Sequence, residues 1–176
     1  HKLVKIFFNK FKIPFVVTWN ADDIINSNHK MYCGRPGAFG ERGSNFIVQN
    51  CDFYLSIGTR LPYMVTGYNA KKFATKAKFK AMVDIDPKEL NKTDLKIDLK
   101  IESDAKVFLK KLFIKLKKYN SSIEWLSYCQ NIRNKYPILL KQMINEKKYV
   151  NCLLYTSDAA DDSLRVDLGG RRIIKK

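Results

Sequence analysis

The sequence predicts the α/β class, a parallel sheet flanked by helices, on three observations. Gly34–Gly40 is a glycine-bearing loop running into a helical stretch. Phe53–Ile57 is an apolar strand that ends in a second glycine turn, Gly58-Thr59-Arg60. Val83-Asp84-Ile85-Asp86 closes a third strand with two acids. Apolar strands ending in short turns that open helices are the pattern of a parallel sheet with ligand-sized crevices at its carboxyl edge.

Taken in order, Leu3, Val4, Ile6, Phe7, Phe8 and Phe11 predict a short amphipathic helix. Ile13–Trp19 is apolar nearly throughout and predicts a buried strand, with Phe15–Thr18 lying parallel and adjacent to the next two. Asn20–Lys30 is polar and turn-prone, with one helical turn over Ala21–Ile25. Glu41–Asn50 predicts a helix burying Phe46, Ile47 and Val48, and Phe53–Ile57 the next strand. Tyr68–Thr75 reads as irregular or briefly helical, Phe79–Ile85 as the third strand and Ile97–Ile101 as a short fourth.

Asp86-Pro87-Lys88-Glu89 is a helix start, with an acid at the cap, proline at the first helical position and Glu89 three residues after the cap. Ser103 or Asp104 caps a helix carrying Ala105, Phe108, Leu109, Leu112, Phe113 and Leu116 at helical spacing. Ile123–Glu146 reads as a helical linker interrupted at Tyr136-Pro137. The chain divides accordingly into a domain over 1–120, the linker over 121–151 and a tail over 152–176.

Composition narrows the function classes. At 45% hydrophobic and 12% aromatic the 176 residues are enough for one domain with its own core. No apolar run approaches the roughly 20 residues of a membrane span, so no membrane partner is expected. The start, His1-Lys2-Leu3, has neither an initiator methionine nor a signal peptide and reads as interior. The net charge of +16 attracts polyanions in principle. Its lysines are scattered, however, and the cluster Lys110, Lys111, Lys115, Lys117 and Lys118 falls on a helix's solvated face. No nucleic-acid partner is expected. Cys33, Cys51, Cys129 and Cys152 are far apart with no C-x-x-C pair, and His1 and His29 are too few for a metal cluster. Neither a metal site nor a disulfide framework is expected, and the compartment is the reducing cytoplasm.

Three stretches offer binding chemistry. In Gly37-Ala38-Phe39-Gly40 the glycines allow close backbone approach and a helix N-terminus follows, so the loop is either a pyrophosphate cradle or a plain strand-to-helix connection. Gly58, Thr59 and Arg60 lie beyond a strand's carboxyl end, where Arg60 is either a bidentate phosphate partner or one side of a surface ion pair. Asp84, next to Ile85, can accept a ribose hydroxyl, whereas Asp86 is explained as a cap. No arrangement of nucleophile and base is present, so no catalytic residue is assigned.

Gly37-Ala38-Phe39-Gly40, Asn45, Gln49-Asn50-Cys51-Asp52, Ile57-Gly58-Thr59-Arg60, Val65-Thr66-Gly67 and Val83-Asp84-Ile85-Asp86 resemble, in order and spacing, the Rossmann-like central domain of thiamine-diphosphate enzymes of the acetolactate synthase type. The resemblance covers roughly Ile13–Val150, and Trp125, Tyr136 and Pro137 are similar to the connector leading to the next domain. Tyr32–Gly37 and Thr66-Gly67-Tyr68-Asn69 look closer to relatives from surface-polysaccharide gene clusters.

The resemblance implies a fragment of an enzyme acting on 2-keto acids, with its first strand missing and its N- and C-terminal domains, which hold thiamine diphosphate and Mg2+, as absent partners. It implies a homo-oligomer for the full-length form. It implies FAD, an adenine nucleotide or no nucleotide in this domain, with any such contacts at Gly37, Ala38, Phe39, Gly40, Gly58, Thr59, Arg60, Asp84 and Ile85. The chain departs from the FAD pattern after Arg60, where Leu61-Pro62-Tyr63-Met64 replaces an acid and an arginine. A stand-alone NAD-binding module of sirtuin-like fold is the alternative. Arginine is confined to Arg35, Arg42, Arg60 and Arg133 before Cys152, and recurs at Arg165, Arg171 and Arg172 after it. That tail, 152–176, is similar to a translated sequencing adapter and carries no functional weight.

Overall fold

The computed structural model describes residues 2–92, 94–116, 119–138 and 145. At its centre is a parallel sheet in the order β1-β2-β3, formed by β1 (Phe53–Ile57), β2 (Phe79–Asp84) and β3 (Leu99–Glu102). Phe53 pairs with Phe79 and Ile57 with Val83, while Ala81 pairs with Leu99 and Asp84 with Glu102. The central strand buries Ala81, Met82, Val83 and Asp84 in succession, as expected of a strand covered on both faces. All three carboxyl ends therefore share one edge, which Ile57, Asp84 and Glu102 mark.

Among the described residues the sheet is accompanied by helices α1 (Lys2–Phe11), α2 (Arg42–Asn50), α3 (Pro87–Leu90), α4 (Ala105–Lys115) and α5 (Ile123–Lys135). Trp19–Ala21 and Ala70–Lys72 form single 3-10 turns. The predicted caps hold. Asp86 accepts from the Lys88 amide at 2.8 Å, and Asp104 from that of Val107 at 2.9 Å. Ser103 is not the cap of α4; its hydroxyl donates to the Asp104 carbonyl. Glu89 does not return to the cap of α3. The Asp86 amide donates to Asp84 Oδ1 at 3.0 Å instead, and Glu89 pairs with Lys92.

The main core lies between α2 and the sheet, where Val48, Cys51, Phe73 and Met82 pack together. A second cluster joins α1 to α4. There Phe11, with no exposed surface, meets Phe7 and Leu109, and its ring stands edge-on to Phe113 at 5.7 Å. The predicted helix face of α4 is thus the buried one. Within α2, Ile47 and Val48 are buried as expected, but Phe46 is only half-buried, its ring 5.0 Å from Tyr136 with the Arg42 guanidinium over both.

The predicted strand over Ile13–Trp19 does not join the sheet. Phe15 makes one parallel bridge to Tyr32, supported by Phe15 N to the Met31 carbonyl (2.9 Å), Cys33 N to the Phe15 carbonyl (2.7 Å) and Val17 N to the Gly34 carbonyl (3.1 Å). Pro14 has no amide to donate, and the donors of Phe15 and Val17 are taken by the 31–34 segment rather than by β1. Phe15 and Val17 bury on one side with Ile25 and Tyr32, while Val16 points the other way into the main core. Alternation is strand-like even though ladder pairing stops at one residue.

The first part of the predicted linker is α5. It crosses α2 through Trp125, Cys129 and Ile132, packed on Cys33 and Ile47. It ends at Tyr136, before Pro137, as the sequence implies. Lys117, Lys118, the linker beyond residue 138 apart from residue 145, and the whole 152–176 tail lie outside the described residues.

Candidate functional site

β1 hands over to a left-handed turn. Gly58 has φ of +62°, a conformation glycine adopts at little cost, and a Cβ there would lie 3.3 Å from that of Ala105 at the start of α4. The Gly58 amide donates to the Val83 carbonyl at 2.8 Å. That bond seats Gly58, Thr59 and Arg60 against the end of β2, beside Asp84. Thr59 is held in the turn by weak contacts, its carbonyl accepting from Ser56 Oγ at 3.4 Å. Asp84 is buried and already accepts the Asp86 amide with one carboxylate oxygen, whereas Ile85 beside it is exposed.

Arg60 continues outward and is exposed; among the described residues its guanidinium makes no ion pair. It lines a cavity of about 350 Å³ with Glu89, Lys92 and Asp94, over a floor that includes Leu61 and Met82. Lys92 fixes this wall by pairing with Glu89 and donating to the Arg60 carbonyl at 3.2 Å. Opposite, the exposed Tyr63 hydroxyl donates to Asp94 at 3.0 Å, and that carboxylate raises the Tyr63 pKa.

The first glycine loop is anchored elsewhere. Gly37 has φ of +132°, and a Cβ on it would lie 2.5 Å from the Met64 carbonyl oxygen. Asn45 of α2 clamps Gly37 from both sides, accepting from its amide at 2.8 Å and donating to its carbonyl at 2.9 Å. Ala38 N donates to the Met64 carbonyl at 2.7 Å, Gly40 N to that of Gly37 at 3.1 Å and Glu41 N to that of Arg35 at 2.7 Å. The amides of Gly37, Ala38, Gly40 and Glu41 are thus all engaged inside the protein, and Phe39 presents an exposed ring. The structure joins Gly58, Thr59 and Arg60 to Asp84 and Ile85 at one edge. It ties Gly37–Gly40 to the 62–67 segment that follows Arg60. Neither that loop nor Asp84 lines the cavity beside Arg60.

Behind the loop sits a charged network the sequence did not announce. Arg35 Nη1 meets Asp22 Oδ2 at 2.8 Å, Arg35 Nε meets Glu41 Oε1 at 3.5 Å, and the Arg35 amide donates to the same Glu41 oxygen at 3.1 Å. Burial raises the Glu41 pKa, with Arg35 opposing it. Burial, assisted by Glu41 and Asp22, raises that of Tyr32. Arg35 and Glu41 lie on either side of Gly37 and Gly40, but six residues apart in a non-helical loop they carry no recognisable pairing signal.

His29 is held structurally, Nε2 at 2.8 Å from Asn9 Oδ1 and Nδ1 accepting from the Met31 amide at 3.1 Å, and burial lowers its pKa. Among the described residues no group of three or more His, Cys, Asp or Glu could hold a metal ion. No described helix is long and apolar enough to cross a membrane. Sequence reasoning also missed a pair of thiols. Cys33 and Cys129 meet under α5, although nothing in their spacing relates them.

With this geometry in place, the likenesses to known proteins agree with it. The family model described as the thiamine pyrophosphate enzyme central domain matches residues 1–112. The chain is 28% identical over 158 residues to the acetolactate synthase isozyme 2 large subunit of Escherichia coli (strain K12), covering 82% of this chain and 27% of that protein. It is 35% identical over 115 residues to the probable acetolactate synthase large subunit of Methanococcus aeolicus (65% of this chain, 18% of that one). It is 32% identical over 133 residues to the acetolactate synthase large subunit of Cyanidium caldarium (72% and 22%). The chain spans about a quarter or less of the length of these curated relatives. A parallel sheet, a glycine turn at its carboxyl edge and a family match over more than half the sequence converge: the chain belongs to the thiamine pyrophosphate enzyme family, and its fold is that of the family's central domain.

Proposed function

We propose that this chain is the central scaffold of a thiamine-diphosphate-dependent enzyme that acts on 2-keto acids by decarboxylation or transfer. The observation that carries the proposal is the family match over 1–112, and relatives named as acetolactate synthase large subunits support it. In the parent enzyme thiamine diphosphate supplies the electron sink for bond cleavage next to the keto group. Its Mg2+ and the catalytic groups belong to flanking domains, and no residue of this chain is assigned a catalytic role. The parent works in the cytoplasm as a homo-oligomer.

A second ligand, FAD or an adenine nucleotide, fits the carboxyl edge in part. Gly58, Thr59 and the Arg60 guanidinium, which makes no ion pair among the described residues, offer a turn and a cation for a phosphate, and Asp84 keeps one carboxylate oxygen for a hydroxyl. The Gly37–Gly40 loop fits less well as a phosphate cradle, because the amides of Gly37, Ala38 and Gly40 already donate within the protein. Its share of such a site is the exposed surface of Ala38 and Phe39. The alternative of a stand-alone NAD module of sirtuin-like fold draws no support from the family match or the relatives.

The test is an assay of the polypeptide encoded by the complete gene. Pyruvate or another 2-keto acid should be consumed only when thiamine diphosphate and Mg2+ are supplied. Turnover without thiamine diphosphate, or none with any 2-keto acid in its presence, overturns the proposal.

A further inference from the structure

Cys33 lies in the 31–34 segment and Cys129 in the middle of α5. Both are buried and free, and both belong to the cluster that joins α5 to α2. The Cys33 and Cys129 side chains interact, each being the largest influence on the other's ionisation, and the Cys33 thiol donates to the Met31 carbonyl at 3.6 Å. Membership of one cluster brings the two thiols into the same buried layer between α5 and the 31–34 segment, and proximity is the first condition a disulfide imposes on its partners. They also share an outlet: both residues line a surface crevice with Pro14, Met31 and Arg133. Its room, about 10 Å³, admits roughly one water-sized molecule.

We propose that Cys33 and Cys129 are a redox pair, which a peroxide joins in a reversible disulfide that staples α5 to the segment beside Phe15. The crevice selects the oxidant by size, since hydrogen peroxide is scarcely larger than water whereas a glutathione disulfide is far larger. Roles within the pair follow from the surroundings. The Cys129 side chain, the Arg133 charge and the Phe15 amide favour a thiolate at Cys33 against the opposing effect of burial, while the Cys33 side chain and burial hold the proton on Cys129.

Cys33 is then the attacking sulfur. It takes one oxygen of the peroxide, the O–O bond breaks, and the other oxygen leaves as hydroxide and collects a proton, giving a sulfenic acid and water. Cys129 sulfur attacks the Cys33 sulfur, the S–O bond breaks, and the departing oxygen takes the Cys129 proton as a second water. Two thiols lose two electrons and two protons, and one peroxide becomes two waters. Cys51 is the internal comparison. It sits in a different cluster with its thiol turned to the Val48 carbonyl at 3.2 Å, and burial pushes its pKa up to about 11.

The experiment treats the full chain with hydrogen peroxide, blocks free thiols with N-ethylmaleimide in denaturant, and maps the digest by mass spectrometry. The expected result is a single linked species joining the Cys33 and Cys129 peptides, two hydrogens lighter than their sum. Dithiothreitol should reverse it, Cys51→Ser should leave it unchanged, and Cys129→Ser should abolish it and leave Cys33 as an oxyacid. Recovery of Cys33 and Cys129 both alkylated, or linkage through Cys51, Cys152 or a second chain, overturns the proposal. The wild-type map decides the matter even if a variant fails to fold.

Discussion

Arg60 gives the carboxyl edge of the sheet a positive charge that makes no ion pair among the described residues. The turn that carries it is fixed by the Gly58 amide on the Val83 carbonyl, so its direction is set by β1 and β2 rather than by a flexible loop. Replacing it, Arg60→Ala, is expected to cost about 1.5–3 kcal/mol of nucleotide affinity, roughly ten- to a hundredfold. Titration of the chain with ADP and with FAD reads this directly. Equal affinity for wild type and variant would remove Arg60 from the phosphate contacts. Asp84 shows how a residue can be legible in kind and still surprise in detail. Its place at the end of a strand was evident from Val83-Asp84-Ile85-Asp86, but its hold on the Asp86 amide was not. That bond replaces the expected Glu89 contact at the start of α3, because Glu89 is drawn to Lys92. Proximity between side chains, unlike capping preference, leaves no mark on a one-dimensional pattern.

At the scale of elements, α1 and α4 hold each other through aromatic rings. Phe11→Ala deletes a ring with no exposed surface from the joint formed with Phe7, Leu109 and Phe113. The expected loss is about 3–5 kcal/mol of stability, measured by urea unfolding followed by circular dichroism. A loss under about 1 kcal/mol would mean that α1 contributes little to the folded state. The same elements mark what a sequence reveals. Helical spacing located α4 and its buried face, Asp86 and Asp104 announced their helices, and the apolar runs located β1 and β2 within a residue or two. The run over Ile13–Trp19 carried the same signal and yielded only a single bridge. Apolar content fixes burial, but which backbone a strand pairs with depends on the segments that compete for its amides. The meeting of Cys33 with Cys129 was illegible for a related reason, since it depends on how α5 crosses α2.

For the molecule as a whole, the dominant physical fact is a net charge of +16 on a chain of 176 residues. Self-repulsion at that level works against compactness. Raising the ionic strength from about 0.01 M to about 0.15 M shortens the screening length from about 30 Å to about 8 Å. The apparent Tm should therefore rise with added sodium chloride, as a thermal scan would show, and a Tm that falls would contradict the charge argument. The sheet adds a second outcome to the same experiment. Among the described residues β1 pairs on one side only, and the stacked rings of Phe53 and Phe79 stand exposed at its beginning, 5.9 Å apart. An open strand edge bordered by aromatic surface invites pairing between copies. Mutual repulsion of like-charged chains is the restraint on that pairing, and salt dissolves the restraint as it steadies each fold. One variable is thus expected to drive two opposed results: as salt raises the melting temperature of a single chain, light scattering should detect neighbouring chains associating along β1, and scattering that stays flat would contradict this.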